Sequence, residues 1–164
     1  MNTLQNLKTE LLEEYETTKK FLEVFPEGKN DYAPHKKSMK MMPLATHITE
    51  IFAWPEIIFK TEKLDFATGD YKPTFLNKKE ELIQKLEQDY NKGKNALENA
   101  KDEDLTKRWT MNNGETVLMD FSKYGAIRHA LNQITHHRAQ LGVYYRLNDI
   151  ALPGSYGPSA DENF

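Results

Sequence analysis

The residues of this chain best suited to chemistry are its histidines, and three of the five fall within Arg128–Leu141. Written on a helix, His129, Gln133 and His137 repeat at i, i+4 and i+8 and share one drifting stripe. Ile127, Leu131, Ile134, Leu141 and Tyr145 form an apolar stripe beside it, so the imidazoles flank a core. Helical bundles build metal sites from such inward-projecting side chains. With His47 from an earlier helix, the strongest constellation is His47, Gln133 and His137. Positions four apart on a helix lie about 6 Å apart along the axis, so both can reach one ion. A ligand from a facing helix then completes a facial set with open positions, as a catalytic zinc or nickel ion requires. The ion would activate water or polarise a substrate group.

Not every histidine belongs to that set. His129 stands about 12 Å along the axis from His137, too far to share an ion. Gln133 is at the correct height, but its amide oxygen is a weak ligand for these metals. Hydrogen bonding to His47, His137 or water is the better expectation for it. His136 points about 100° away from His137 and should pair with a carboxylate or a backbone group. Arg138 should pair with a buried Glu or Asp. Core packing accounts for Tyr144 and Tyr145. His35, in a Pro-containing loop, reads as solvated.

Other chemistries lack their residues. With no Cys among 164 residues there is no disulfide, thiolate ligand or cysteine nucleophile. The eight Gly are scattered and form no phosphate loop. No nucleophile elbow is present. The Glu-rich run Glu10-Leu11-Leu12-Glu13-Glu14 reads as a solvent face and lacks the Glu-x-x-His pairs of di-iron bundles. A net charge of −3 supplies no basic face for nucleic acid.

Four amphipathic helices are expected to position these residues. The first starts near Thr3, carries Leu4, Leu7, Leu11, Tyr15, Leu22 and Phe25 on one face, and ends at Pro26–Gly28. The second runs from about Lys40 to about Thr61, with Pro55 bending it near Trp54. The third opens at an Asn77–Glu80 capping box and reaches Ala100, with Gly93 either weakening it or permitting close packing. The fourth is capped by Ser122 and continues to about Asn148. The connections Glu27–Lys37 and Asp65–Phe75 are long enough to cross over rather than reverse locally. Asn112-Asn113-Gly114, between Trp109-Thr110-Met111 and Thr116-Val117-Leu118, is a hairpin-like turn with very short strands. Residues from about 150 to 164 form an irregular tail laid across the surface.

The expected fold class is therefore all-α, a four-helix bundle with long crossover connections and a single domain over 1–164. An apolar fraction of 38% against 29% charged residues is that of a soluble globular protein. Met1–Glu16 has no continuous apolar run, so neither signal peptide nor membrane span is expected and the cytoplasm is the expected location.

Three blocks carry a family likeness: Ser38-Met39 through Leu44-Ala45-Thr46-His47-Ile48, then His136-His137-Arg138-Ala139-Gln140-Leu141, then Pro153-Gly154-Ser155-Tyr156-Gly157-Pro158-Ser159-Ala160-Asp161-Glu162. On these the chain resembles the DinB/YfiT-like superfamily of four-helix-bundle candidate metalloenzymes. His47 matches the family's first ligand and His137 its third. Gln133 stands where the second histidine belongs, and Ala139 replaces the usual Gly. The resemblance implies a crossover-connected bundle, a homodimer, and a divalent Ni or Zn ion. It further implies a thiol-dependent transferase or isomerase acting on a small-molecule substrate, with a low-molecular-weight thiol as cosubstrate; hydrolysis is the other reaction expected of a metal-bound water. Because of Gln133 the metal site is atypical. The alternative is a non-catalytic small-ligand-binding or structural bundle that has lost its metal.

Overall fold

The structure, a computed structural model, describes residues 3–69, 72 and 74–162. Pro73 and the chain ends Met1, Asn2, Asn163 and Phe164 lie outside the described residues. The first helix, α1, spans Thr3–Glu23 and buries Leu4, Leu7, Leu11, Glu14, Thr18 and Phe21. These positions follow the 3-4 spacing of a core-facing stripe. Glu14 corrects the expectation that the Glu-rich run faces solvent, because it is only 5% exposed.

The single bent helix expected between Lys40 and Thr61 is two helices, α2 at Met41–Ile51 and α3 at Trp54–Lys60. Pro55 accounts for the break. It cannot donate to the carbonyl of Ile51, four residues back, and its ring would strike that oxygen. In the first turn of α3 the same proline costs nothing. The break leaves the Phe52 carbonyl against Gly93 of the next long helix, α4 at Lys79–Asn99. A Cβ at position 93 would lie 2.1 Å from that oxygen, so Gly93 is there for close packing. The expected Asn77–Glu80 box is replaced by a neighbour: the Glu81 carboxylate accepts from the N–H groups of Asn77 (2.8 Å) and Lys78 (3.0 Å). The last helix, α5, spans Lys123–Arg146, and its Ser122 cap accepts from Gly125 N–H at 3.1 Å as expected.

α1 packs on α4, α4 on α2, α2 on α5 and α5 back on α1. α1 and α2 thus sit at diagonal corners of a four-helix ring, as do α4 and α5, which is why the connections after α1 and α4 are long; the expected crossover at Asp65–Phe75 is instead a link between neighbours, because α3 packs on α4. The helical framework stands, but the all-α expectation does not, because a three-stranded sheet is added to it. Strand β1 (Lys63–Asp65) runs parallel to β2 (Arg108–Asn113), which pairs antiparallel with β3 (Thr116–Ser122). The hairpin expected around Gly114 is present with longer strands. Its two-residue turn is Gly114–Glu115, with φ +62° at Gly114, the positive value that a II′-type hairpin turn requires at its first position. Asp65 ties β1 to this turn, its Oδ1 accepting from Gly114 N–H at 2.9 Å and Ala67 N–H at 3.0 Å. Those two N–H groups hold the Asp65 carboxyl below its ordinary value. No helix among the described residues is long and apolar enough to cross a membrane.

Candidate functional site

The packing of α2 on α5 decides where the histidines go. On α2, Leu44, Ala45, Ile48 and Ile51 are fully buried, and His47 falls at the edge of their stripe, half-buried. On α5, Ile127, Leu131, Ile134, Leu141 and Tyr145 are buried, which sets His137 on the flank facing α2. The two imidazoles meet edge to face, ring centroids 4.8 Å apart. Burial pushes the basicity of His47 down, nearby His137 adds to this, and Glu50 opposes it. Burial also lowers His137, with the Gln140 hydrogen bond opposing and His136 reinforcing. Near neutral pH both rings are therefore held in the uncharged form that can donate a lone pair.

Gln140 fixes how His137 presents that lone pair. Its Oε1 lies 2.9 Å from His137 Nδ1, and its Nε2 lies 3.1 Å from His136 Nε2. An amide oxygen only accepts, so His137 carries its proton on Nδ1 and leaves Nε2 free. His136 accepts from the amide and so carries its proton on Nδ1 too. His136 thus has an amide partner rather than the expected carboxylate or backbone group, and its ring touches that of His137 at 4.9 Å between centroids.

Gln133 is half-buried one turn before His137, and among the described residues its side chain has no hydrogen bond to either histidine. His129 stays apart as expected, packed on the Phe121 ring at 5.3 Å. Nor do the described residues contain any group of three or more His, Cys, Asp or Glu side chains placed to hold a metal. Of the three expected ligands the structure brings the two imidazoles together, and among the described residues no hydrogen bond joins the Gln133 amide to them. The imidazoles fit a divalent ion well, and the amide fits weakly.

Of His47, Gln133 and His137, it is His47 that lines the neighbouring cavities. One, of about 160 Å³, is walled by Met39, Met42, Thr46, Glu50 and Phe75. The other, of about 420 Å³, runs past Trp54, Ile57, Leu64 and Phe66 to Lys85 and Asp89. Glu50 lines both and accepts from Thr74 N–H at 2.9 Å. Sequence reasoning passed over Glu50, although its place one turn after His47 was the available signal.

Arg138, next to His137, points the other way. Its guanidinium donates to Glu14 Oε2 (2.6 Å), Thr18 Oγ1 (3.0 Å) and the Tyr156 hydroxyl (2.8 Å). That hydroxyl donates to Glu14 Oε1 at 2.5 Å and meets Thr135 Oγ1 at 2.9 Å. The buried-carboxylate partner expected for Arg138 is therefore Glu14, and the tail crosses the surface to complete the pairing. Tyr144 and Tyr145 pack in the core, their hydroxyls donating to the Met39 and Phe21 carbonyls. His35 is exposed in its loop.

The fold matches crystal structures of DinB-like proteins from Bacillus subtilis (TM-score 0.70, 18% identity, 92% of this chain and 96% of that one) and Bacillus cereus (TM-score 0.70, 19% identity, 93% and 97%). A protein described as a DinB-family member from Exiguobacterium sibiricum is similar at TM-score 0.67 and 19% identity, over 93% and 97% of the two chains. No curated protein matches the chain significantly. The model of the DinB family matches residues 1–162, nearly the whole sequence, and the chain belongs to that family.

Proposed function

We propose that the protein is a metal-dependent enzyme of thiol S-transfer or hydrolysis, with His47 and His137 as its two strong ligands and Gln133 as a weak third. One observation carries this reading: two uncharged imidazoles from facing helices meet at 4.8 Å, and Gln140 turns Nε2 of His137 free. A hydrogen bond that fixes the distal nitrogen of a ligating histidine is the usual support for metal binding. A bound Ni or Zn ion would supply activation of a thiol or water at neutral pH. Glu50 lines the same cavity beside His47, and Trp54, Ile57 and Phe66 offer an apolar wall to the substrate. A low-molecular-weight thiol as cosubstrate, homodimeric assembly and a cytoplasmic setting belong to the same proposal.

A second reading has its own support. Two strong ligands seldom hold zinc, and no third His, Cys, Asp or Glu joins them among the described residues. On that reading the pocket binds a small molecule without metal. Metal analysis of protein purified without an affinity tag separates the two, repeated on Gln133→His and His137→Ala. The enzyme reading expects metal in the wild type, loss in His137→Ala, and tighter binding in Gln133→His. A wild type that stays empty when Ni²⁺ or Zn²⁺ is added sinks it, and uptake by Gln133→His alone identifies a site that has lost a ligand. Transfer assays with several thiols then address the reaction.

A further inference from the structure

A cavity of about 510 Å³ opens between α3, α4 and the start of α5, and its walls include none of His47, Gln133 and His137. Four lysines line it: Lys60, Lys92, Lys107 and Lys123. Three of them have a carboxylate of their own, Lys60 with Glu56 (2.7 Å), Lys107 with Asp104 (2.6 Å) and Lys92 with Asp89 (2.8 Å). Lys123 differs. It is 6% exposed, and no ion pair is formed by it among the described residues. Its ammonium donates to the carbonyls of Phe59 (3.1 Å) and Thr61 (3.0 Å), which closes the C-terminal end of α3.

That structural role uses two of three N–H groups and cancels no charge. A buried cation with no carboxylate in direct contact is costly, and an anion placed against it relieves the cost. Burial and nearby Lys107 depress the basicity of Lys123, while Asp104 and Glu62, both beyond ion-pair distance, oppose them. The rest of the wall is mixed: Glu56 and Asp104 lie on it, each paired with its own lysine. Phe59, Ala96 and Ala100 give it an apolar side, and the Asn95 side-chain amide has no hydrogen-bond partner among the described residues.

We propose that this cavity is a second small-molecule site, taking an oxyanion (a carboxylate or a phosphate) against Lys123 and Lys107 and its apolar body against Phe59 and Ala96. Three probes test it on the intact protein by amide NMR titration: inorganic phosphate, phenyl phosphate and benzoate. Saturable shifts confined to residues 92–100, 104–107 and 123–125 support the site. Phenyl phosphate above benzoate indicates a phosphate ligand, and the reverse order a carboxylate. Lys123→Met should weaken binding about tenfold or more, as loss of a charge-assisted hydrogen bond would. Because that change also uncaps α3, the exposed variants Lys107→Glu and Asn95→Leu are read beside it and should weaken binding with unchanged melting. The proposal is overturned by the absence of saturable shifts with all three probes, by shifts scattered over lysines elsewhere, or by Lys107→Glu and Asn95→Leu binding as well as wild type.

Discussion

His137 and Arg138 are consecutive on α5, yet they belong to opposite kinds of environment. Arg138 is 2% exposed and holds Glu14, Thr18 and Tyr156 in one network, so α1, α5 and the tail meet at a single guanidinium. His137 is half-buried beside His47, tied by one hydrogen bond to exposed Gln140. The first arrangement is closed: among the described residues no buried side-chain nitrogen or oxygen lacks a partner. The second is open: among the described residues Nε2 of His137 has no hydrogen bond, and His47 lines two cavities. A single residue step, about 100° around the helix, therefore separates what fixes the bundle from what remains available for chemistry.

The contrast can be broken first on the closed side. Arg138→Ala leaves Glu14 as a buried unpaired charge and should cost about 3–5 kcal/mol, read as a drop in urea midpoint, whereas Glu14→Leu with Arg138→Met should be nearly neutral. If the single and the double change cost the same, the pairing does not organise this region. Tyr156→Phe removes the tail's hydroxyl from Glu14, Arg138 and Thr135 and should cost about 1–3 kcal/mol, with limited proteolysis of the tail as a second readout. On the open side, His137→Ala should change stability by only about 1 kcal/mol while abolishing metal uptake.

The smallest effect is with pH. In the folded protein His47, His129 and His137 are all less basic than their ordinary value of 6.5. Below that value the unfolded chain therefore binds more protons than the native one. The metal-free protein should keep full stability above about pH 6.5 and lose it as pH falls, with a shallower slope in His137→Ala. Urea midpoints at about pH 7.5 and about pH 5.5 would show this.

The sequence carries part of this design plainly. Position 138 continues the 4-3-4 spacing of Ile127, Leu131, Ile134, Leu141 and Tyr145, and Glu14 does the same between Leu11 and Thr18. Opposite charges at two core positions are a pairing signal, and Arg138 was expected to have such a partner. Glu14 escaped notice because Glu13 and Glu10 beside it belong to the more exposed side, so the run reads as one solvated face. The split of α2 from α3 was readable only as a bend, since Pro55 forbids a hydrogen bond without saying whether the helix resumes. The sheet was half readable. Gly114 marks the hairpin locally, but β1 pairs with β2 across some 47 residues, and three residues of strand carry no periodicity of their own. At the site, spacing along α5 excluded His129 and singled out His137, whereas Glu50 acts through its neighbours in space.

His47 and His137 are proposed as a metal-binding pair with Gln133 as its weak member. Long-range ¹⁵N NMR of the imidazoles during zinc titration tests it most directly. Before zinc, His137 should show its proton on Nδ1. With zinc, Nε2 of His137 and one nitrogen of His47 should shift together while His35 and His129 do not move, and Gln133→His should saturate at lower zinc. Unshifted His47 and His137 resonances in both proteins would contradict it.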